Sequence, residues 1–192
     1  MVVFALTRIP GVLPQNFSAG YALMFCAGVY FPKRLAWWLP FLTMLITDVL
    51  LNWHYGASLL GPEMIGNYLV YLILVLMGKT FTPKASFLWL LGGGVLGAIV
   101  FYLVTNTFSW LFNPFQNPEY TKTFAGWLTA LTKGVGGYPE TWQFFRNTLM
   151  SGGLFTGLFA GAMKLLEAME PAEEEEPAEE QAPDEKPEEA KA

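Results

Sequence analysis

The chain has 192 residues, 53% of them hydrophobic and 14% charged, with a formal net charge of −5. That length suits one compact domain, and the charges are segregated: eleven acids face two lysines from Glu170 onward, whereas nine basic residues face five acids before it. The body lacks the clustered basic stripe of a nucleic-acid surface, and a single cysteine, Cys26, excludes an internal disulfide framework or a thiolate metal cluster.

At the N-terminus, residues 1–6 are apolar but too few to cross a bilayer, and Arg8, Pro10 and Pro14 follow at once. This stub is either the remnant of a further helix or the trace of a start lying further upstream. No basic region precedes the first apolar run and no small-residue cleavage site follows it, so the segment is expected to be retained.

A membrane span needs roughly 17–25 apolar residues. The runs that approach this are 17–31, 35–51, 62–78, 86–105 and 139–168. Pro62 suits the first position of its helix and Gly78 the end. The expected fold is therefore all-α: a polytopic transmembrane helix bundle of five spans, or six if the stub belongs to another helix. It divides into a stub (1–16), a transmembrane domain (17–168) and an acidic tail (169–192). Lys33, Arg34, Lys79, Lys84 and Lys164 fall on one side of an alternating five-span path, which marks that side as cytoplasmic. The expected location is the inner membrane of a bacterium, with lipid as the first partner. The tail, with four prolines among like charges, is expected to be disordered and cytoplasmic.

Between the last two spans, Phe124, Trp127, Leu128 and Leu131 recur at helical spacing, and Gly134, Gly136 and Gly137 follow. Residues 120–133 read as a short amphipathic helix at the outer surface, either tiling the bundle or covering a cavity.

Asp48 is the sole acid well inside an apolar run. An aspartate at a helix centre costs about 2.5–3.5 kcal/mol, less toward the end, so such groups face the bundle interior. On the five-span path Asp48, Asn52 and His54 reach the outer level of the second span. Asn106 and Trp110 reach it on the fourth, and Trp142, Arg146 and Asn147 on the fifth. Arg8 and Asn16 stand before the first span, and Tyr120 in the outer connection. These residues are the candidate ligand contacts, with Trp110, Tyr120 and Trp142 as walls. The mixed charges suit a zwitterionic or heterocyclic ligand better than a simple anion. The competing reading pairs Asp48 structurally with Arg8 or Arg146 and makes the asparagines interhelical hydrogen-bond glue. His54 has no second histidine or cysteine near it for a metal. Small residues form two further patterns: Ala19, Ala22, Cys26 and Ala27 make a smooth face suited to a partner subunit, and Gly153, Gly157 and Gly161 a ridge for close helix packing.

The order of these motifs resembles an uncharacterised bacterial family of multi-span membrane proteins. The likeness is carried by Arg8-x-Pro10 with Pro14-x-Asn16-Phe17, by Gly28-x-Tyr30-Phe31, and by Asp48 followed by His54. It continues through Thr105-Asn106 with Trp110, Tyr120-x-x-Thr123 with Gly126, and Tyr138-Pro139-x-Thr141-Trp142-x-Phe144-Phe145-x-Asn147. The resemblance covers residues 8 to 165 and implies a full extra helix before Arg8, but no activity. More loosely, the chain is similar to the substrate-binding S components of energy-coupling-factor transporters. That likeness implies six helices, an outward pocket roofed by loops, and a small-residue face docking a membrane coupling subunit.

The functional expectation is a membrane protein that binds a small polar solute in an outward-facing pocket, as the substrate-capture component of a transporter. The alternative is a structural or assembly protein whose polar residues only hold helices together. No P-loop is present, so any ATPase must be a separate partner. No nucleophile elbow, zinc-protease motif or carboxylate pair is present either, so no enzymatic activity, cofactor or metal is expected.

Overall fold

The computed structural model describes residues 2–56 and 62–169; the acidic tail lies outside the described residues. They form seven helices and no strand. These are α1 (Val2–Thr7), α2 (Gly20–Tyr30), α3 (Leu35–His54), α4 (Pro62–Lys79), α5 (Phe87–Phe112), α6 (Phe124–Thr132) and α7 (Thr141–Met169). Three of them, α3, α5 and α7, are long and apolar enough to cross a membrane; Gly20–Tyr30 and Met64–Lys79 are apolar but shorter.

The helix at the centre is α2. From Gly20 to Val29 every residue is buried, the state expected of a helix that is apolar all round. It packs against α3, α4, α5 and α7. Its 11 residues give a rise of about 16 Å, half a bilayer core. The apolar run that begins at residue 17 forms helix over most of its length, and residues 8–18 form an irregular strap ahead of it. The smooth face of Ala19, Ala22, Cys26 and Ala27 is fully buried inside the chain, which corrects its reading as a surface for a partner. It is used internally: a Cβ on Gly28 would collide with the Val75 carbonyl, and one on Gly78 with that of Phe25. The α2 and α4 backbones touch there because neither residue has a side chain.

The most extensive helix pair is α5 with α7. Gly94 seats the Thr156 side chain, and a Cβ on Gly152 would stand 2.6 Å from that of Ala98. A Cβ added at Gly153, Gly157 or Gly161 would meet α5 side chains only at ordinary van der Waals separation, between 3.6 and 3.9 Å. That ridge is intramolecular, one step around the helix from the closest approach.

Ser86 opens α5 by accepting from the Trp89 amide at 3.3 Å, a standard N-cap. The helix runs beyond the expected end at residue 105 as far as Phe112, where Asn113 adopts a left-handed φ of 42°. The Asn113 side chain then holds the turn, bonding both the amide and the carbonyl of Asn117.

Thr123 caps α6, accepting from the Gly126 amide at 3.2 Å. Gly126 and Ala130 form its buried face, while Phe124 and Leu128 point outward. The Tyr102 hydroxyl donates to the Leu131 carbonyl, and the Trp127 indole to Thr107 Oγ1 at 2.9 Å. The expected apolar stripe is thus split. Gly126, Ala130 and the half-buried Trp127 seat α6 on α5, while Phe124 and Leu128 face away from the bundle.

Candidate functional site

Where α1 ends, Arg8 turns toward α3. One Nη donates to the Asp48 carboxylate; the other donates to Thr47 Oγ1 at 2.9 Å and Met44 Sδ at 3.1 Å. The guanidinium also lies 5.6 Å from the Phe4 ring centroid, within cation–π range. Three of its five N–H donors are therefore occupied. Thr47 is oriented in turn by bonding back to the Thr43 and Met44 carbonyls. Asp48 is 9% exposed, and its partner comes from 40 positions away in sequence.

Beyond Arg8 the strap of residues 8–18 is pinned at three points. Thr7 Oγ1 accepts from the Ala19 amide at 3.1 Å. The Tyr21 hydroxyl donates to the Asn16 carbonyl at 3.1 Å, and the Asn147 amide to the Gln15 carbonyl at 2.9 Å. Asn16 itself sits at φ 60°, a left-handed conformation that asparagine tolerates better than most residues.

Under this strap lies a cavity of about 530 Å³, within the range of small-molecule sites. Its lining comes from the strap, Tyr21 of α2, Leu51 and Tyr55 at the end of α3, Asn67 and Tyr71 of α4, Phe101, Thr105, Asn106 and Ser109 of α5, and Phe144 of α7. Three rings form one wall: Phe101 stacks with Tyr21 at 4.3 Å and with Tyr71 at 5.6 Å between centroids. The roof is the strap, because no α6 residue lines the cavity.

Of the sequence candidates, Arg8, Asn16 and Asn106 line the cavity. Asn106 spends its amide donor on the Tyr102 carbonyl at 2.8 Å. Asp48 stands behind Arg8, and Asn147 acts on the strap from outside. The others lie elsewhere. Asn52 approaches Met64 Sδ at 3.7 Å. His54 packs edge-on against Tyr55 and borders an apolar groove shared by α1 and α3. The Trp110 indole donates to the Thr121 carbonyl at 2.6 Å, with the Lys122 ammonium near its ring. Tyr120 is buried, and that burial, reinforced by the Glu119 carboxylate, raises its hydroxyl above the ordinary tyrosine pKa. The Trp142 indole donates to Glu140 at 2.6 Å. Arg146 is exposed with its guanidinium 6.0 Å from the Trp142 ring, so it does not pair with Asp48. The three aromatic residues expected as walls lie outside the cavity lining, in or beside the connections that flank α6, and the aromatic wall is Tyr21, Tyr71 and Phe101.

Two lining residues were legible but overlooked. Asn67 and Tyr71 are polar, four apart, and inside an apolar run, which puts them on one helix face. Ser109 carried no signal, since the fourth span was expected to end before it. Among the described residues no group of three His, Cys, Asp or Glu side chains is placed to hold a metal ion.

A family model matches residues 1–174, and the chain belongs to that family, a family of unknown function (DUF6580). No curated protein and no solved structure matches the chain.

Proposed function

We propose that this member of a family of unknown function is a membrane protein that binds a small polar solute from the outer face. In this reading α2, α3, α4, α5 and α7 are the five spans, α6 rests at the outer surface, and the tail is cytoplasmic at a bacterial inner membrane. Apolar side chains point outward along the three long helices: Trp38, Leu42, Ile46 and Leu50 on α3, Leu88, Leu96 and Leu103 on α5, and Leu154, Leu158 and Leu165 on α7. Outward apolar faces of that extent suit lipid rather than water. The short α2 fits a bilayer because irregular backbone at membrane depth is tolerated where it lines a cavity, which is where residues 8–18 lie.

One observation carries the binding role: residues from the strap, α4 and α5 converge on a single cavity with polar groups that the fold does not consume. Among the described residues the side chains of Asn16, Asn67, Tyr71 and Ser109 make no hydrogen bond, although all four line it. A role as the capture component of a transporter, with a membrane coupling subunit and an ATPase as partners, rests on the looser resemblance alone. A coupling subunit would have to dock elsewhere than on α2, which is buried.

The Arg8–Asp48 pair favours a second reading, a structural protein held together by intramembrane polar bonds. Purification in mild detergent followed by mass spectrometry of retained small molecules separates the two. Under the first reading the wild type retains a ligand and Asn67→Ala loses it without losing its fold. A wild type that retains nothing and is stabilised by no small molecule leaves the structural reading. Reporter fusions after residues 33, 82 and 169 on the cytoplasmic side, and after residues 56 and 118 outside, test the five-span path. Recovery of an ATPase and a coupling subunit with the tagged protein tests the transporter version.

A further inference from the structure

The cavity has one charged side chain in its lining, and that charge is already answered. Among the described lining residues Arg8 is the sole Lys, Arg, His, Asp or Glu. Its guanidinium is held by Asp48 and Thr47 of α3. Besides the two N–H donors of Arg8 still open, what remains for a ligand is uncharged: the carboxamides of Asn16 and Asn67, the hydroxyls of Tyr71 and Ser109, and the rings of Tyr21 and Phe101. Asn67 and Tyr71 lie four apart on α4, and Thr105 and Ser109 four apart on α5, so two helix faces present hydrogen-bonding groups across the same space.

We propose that this cavity selects an uncharged, planar molecule with several hydrogen-bonding groups, and that Asp48 sets the selection by holding the Arg8 charge. The inference rests on the solute-binding reading and names the class of solute. A carboxylate or phosphate ligand meets in Arg8 a cation that Asp48 already neutralises, so even on the two N–H donors still open its own charge adds an uncompensated negative charge to the site, which is costly away from bulk water. A cationic ligand finds no acid in the lining. A neutral amide or lactam instead satisfies the open carboxamides and hydroxyls, and its flat face lies against the aromatic wall. The mixed charges that suggested a zwitterion cancel each other within the protein.

The test uses the full-length chain in detergent micelles and pairs of probes that share a shape and differ in charge: nicotinamide with nicotinate, benzamide with benzamidinium, and thymidine with thymidine 5′-monophosphate. Binding is read by thermal stabilisation and by tryptophan fluorescence titration. The expected result is that the uncharged members bind and their charged counterparts are weaker by roughly tenfold or more. A charged member binding as well as or better than its neutral counterpart overturns the inference and leaves the solute-binding reading standing. If no probe of any charge binds, the solute-binding reading falls and the inference with it. Asp48→Asn tests the role of Asp48: it frees the guanidinium, and the affinity for nicotinate and thymidine 5′-monophosphate should rise roughly tenfold. A folded variant with no such gain overturns that role. Should Asp48→Asn fail to fold, the wild-type ranking of neutral over charged probes still decides the class of ligand.

Discussion

The two sides of this bundle are built on different physics. On one side α2, α4, α5 and α7 close on one another through glycines, with backbone against backbone at Gly28 and Gly78 and a threonine seated on Gly94. On the other side α3 packs chiefly on α2, leaves most of its apolar face outward, and is tied to the strap by Arg8, Thr47 and Asp48. Close packing gives a rigid frame because every atom has a neighbour and no void can absorb a change. A polar tie holds one point firmly and leaves the rest of the helix to its surroundings. The cavity lies between the two, with the frame supplying its aromatic wall and the tied side its roof.

This contrast can be broken from the frame side first. Gly78→Leu puts a side chain into the Phe25 carbonyl, and overpacking against backbone should cost more than about 3 kcal/mol. The expected outcome is loss of the monodisperse folded protein on size-exclusion chromatography, not a local change.

A smaller effect is expected at the tie. Arg8→Gln removes the charge-assisted bonds to Asp48 and Thr47, and the loss should be about 2 kcal/mol, the scale of hydrogen bonds to charged groups. Hydrogen exchange should quicken across residues 43–54 and remain slow across residues 90–98. Equal quickening in both segments would show that the frame and the tied side are one cooperative unit.

The cap of α6 tests a third region that belongs to neither. Thr123→Ala should cost about 1 kcal/mol, read as a lower thermal midpoint. Because no α6 residue lines the cavity, ligand retention should not change; a change would mean that α6 acts on the strap after all. The smallest stability effect is expected for Asn67→Ala, within about 0.5 kcal/mol, since among the described residues that amide makes no hydrogen bond. Its consequence should fall on binding alone, as the loss of any retained small molecule.

Much of the helical layout was legible in the sequence, and the reason is locality. Hydropathy and helical period act over a few turns, so α3, α5 and α7 follow from composition alone, as does the short helix before Gly134. Asp48 stood out because a carboxylate in an apolar run needs a partner, and Arg8 was one of two partners that topology allowed. The choice between Arg8 and Arg146 was not legible. It depends on the strap folding back to α3 while Arg146 stays at the surface beside Trp142.

Helical class, segregation of charge and the need for Asp48 to be paired were thus determined by the residues themselves, through solvation costs that each side chain carries wherever the chain goes. Tertiary structure alone decided that the apolar run from residue 17 yields a short, wholly buried helix, because the approach of α2 to α4 depends on two glycines fifty positions apart. It also decided which polar groups are consumed and which stay open: Asn106 bonds to its own helix, Asn147 to the strap, and Asn16 and Asn67 face the cavity. Residue type fixes how many hydrogen bonds a side chain can make, and packing fixes which of them the protein has already made.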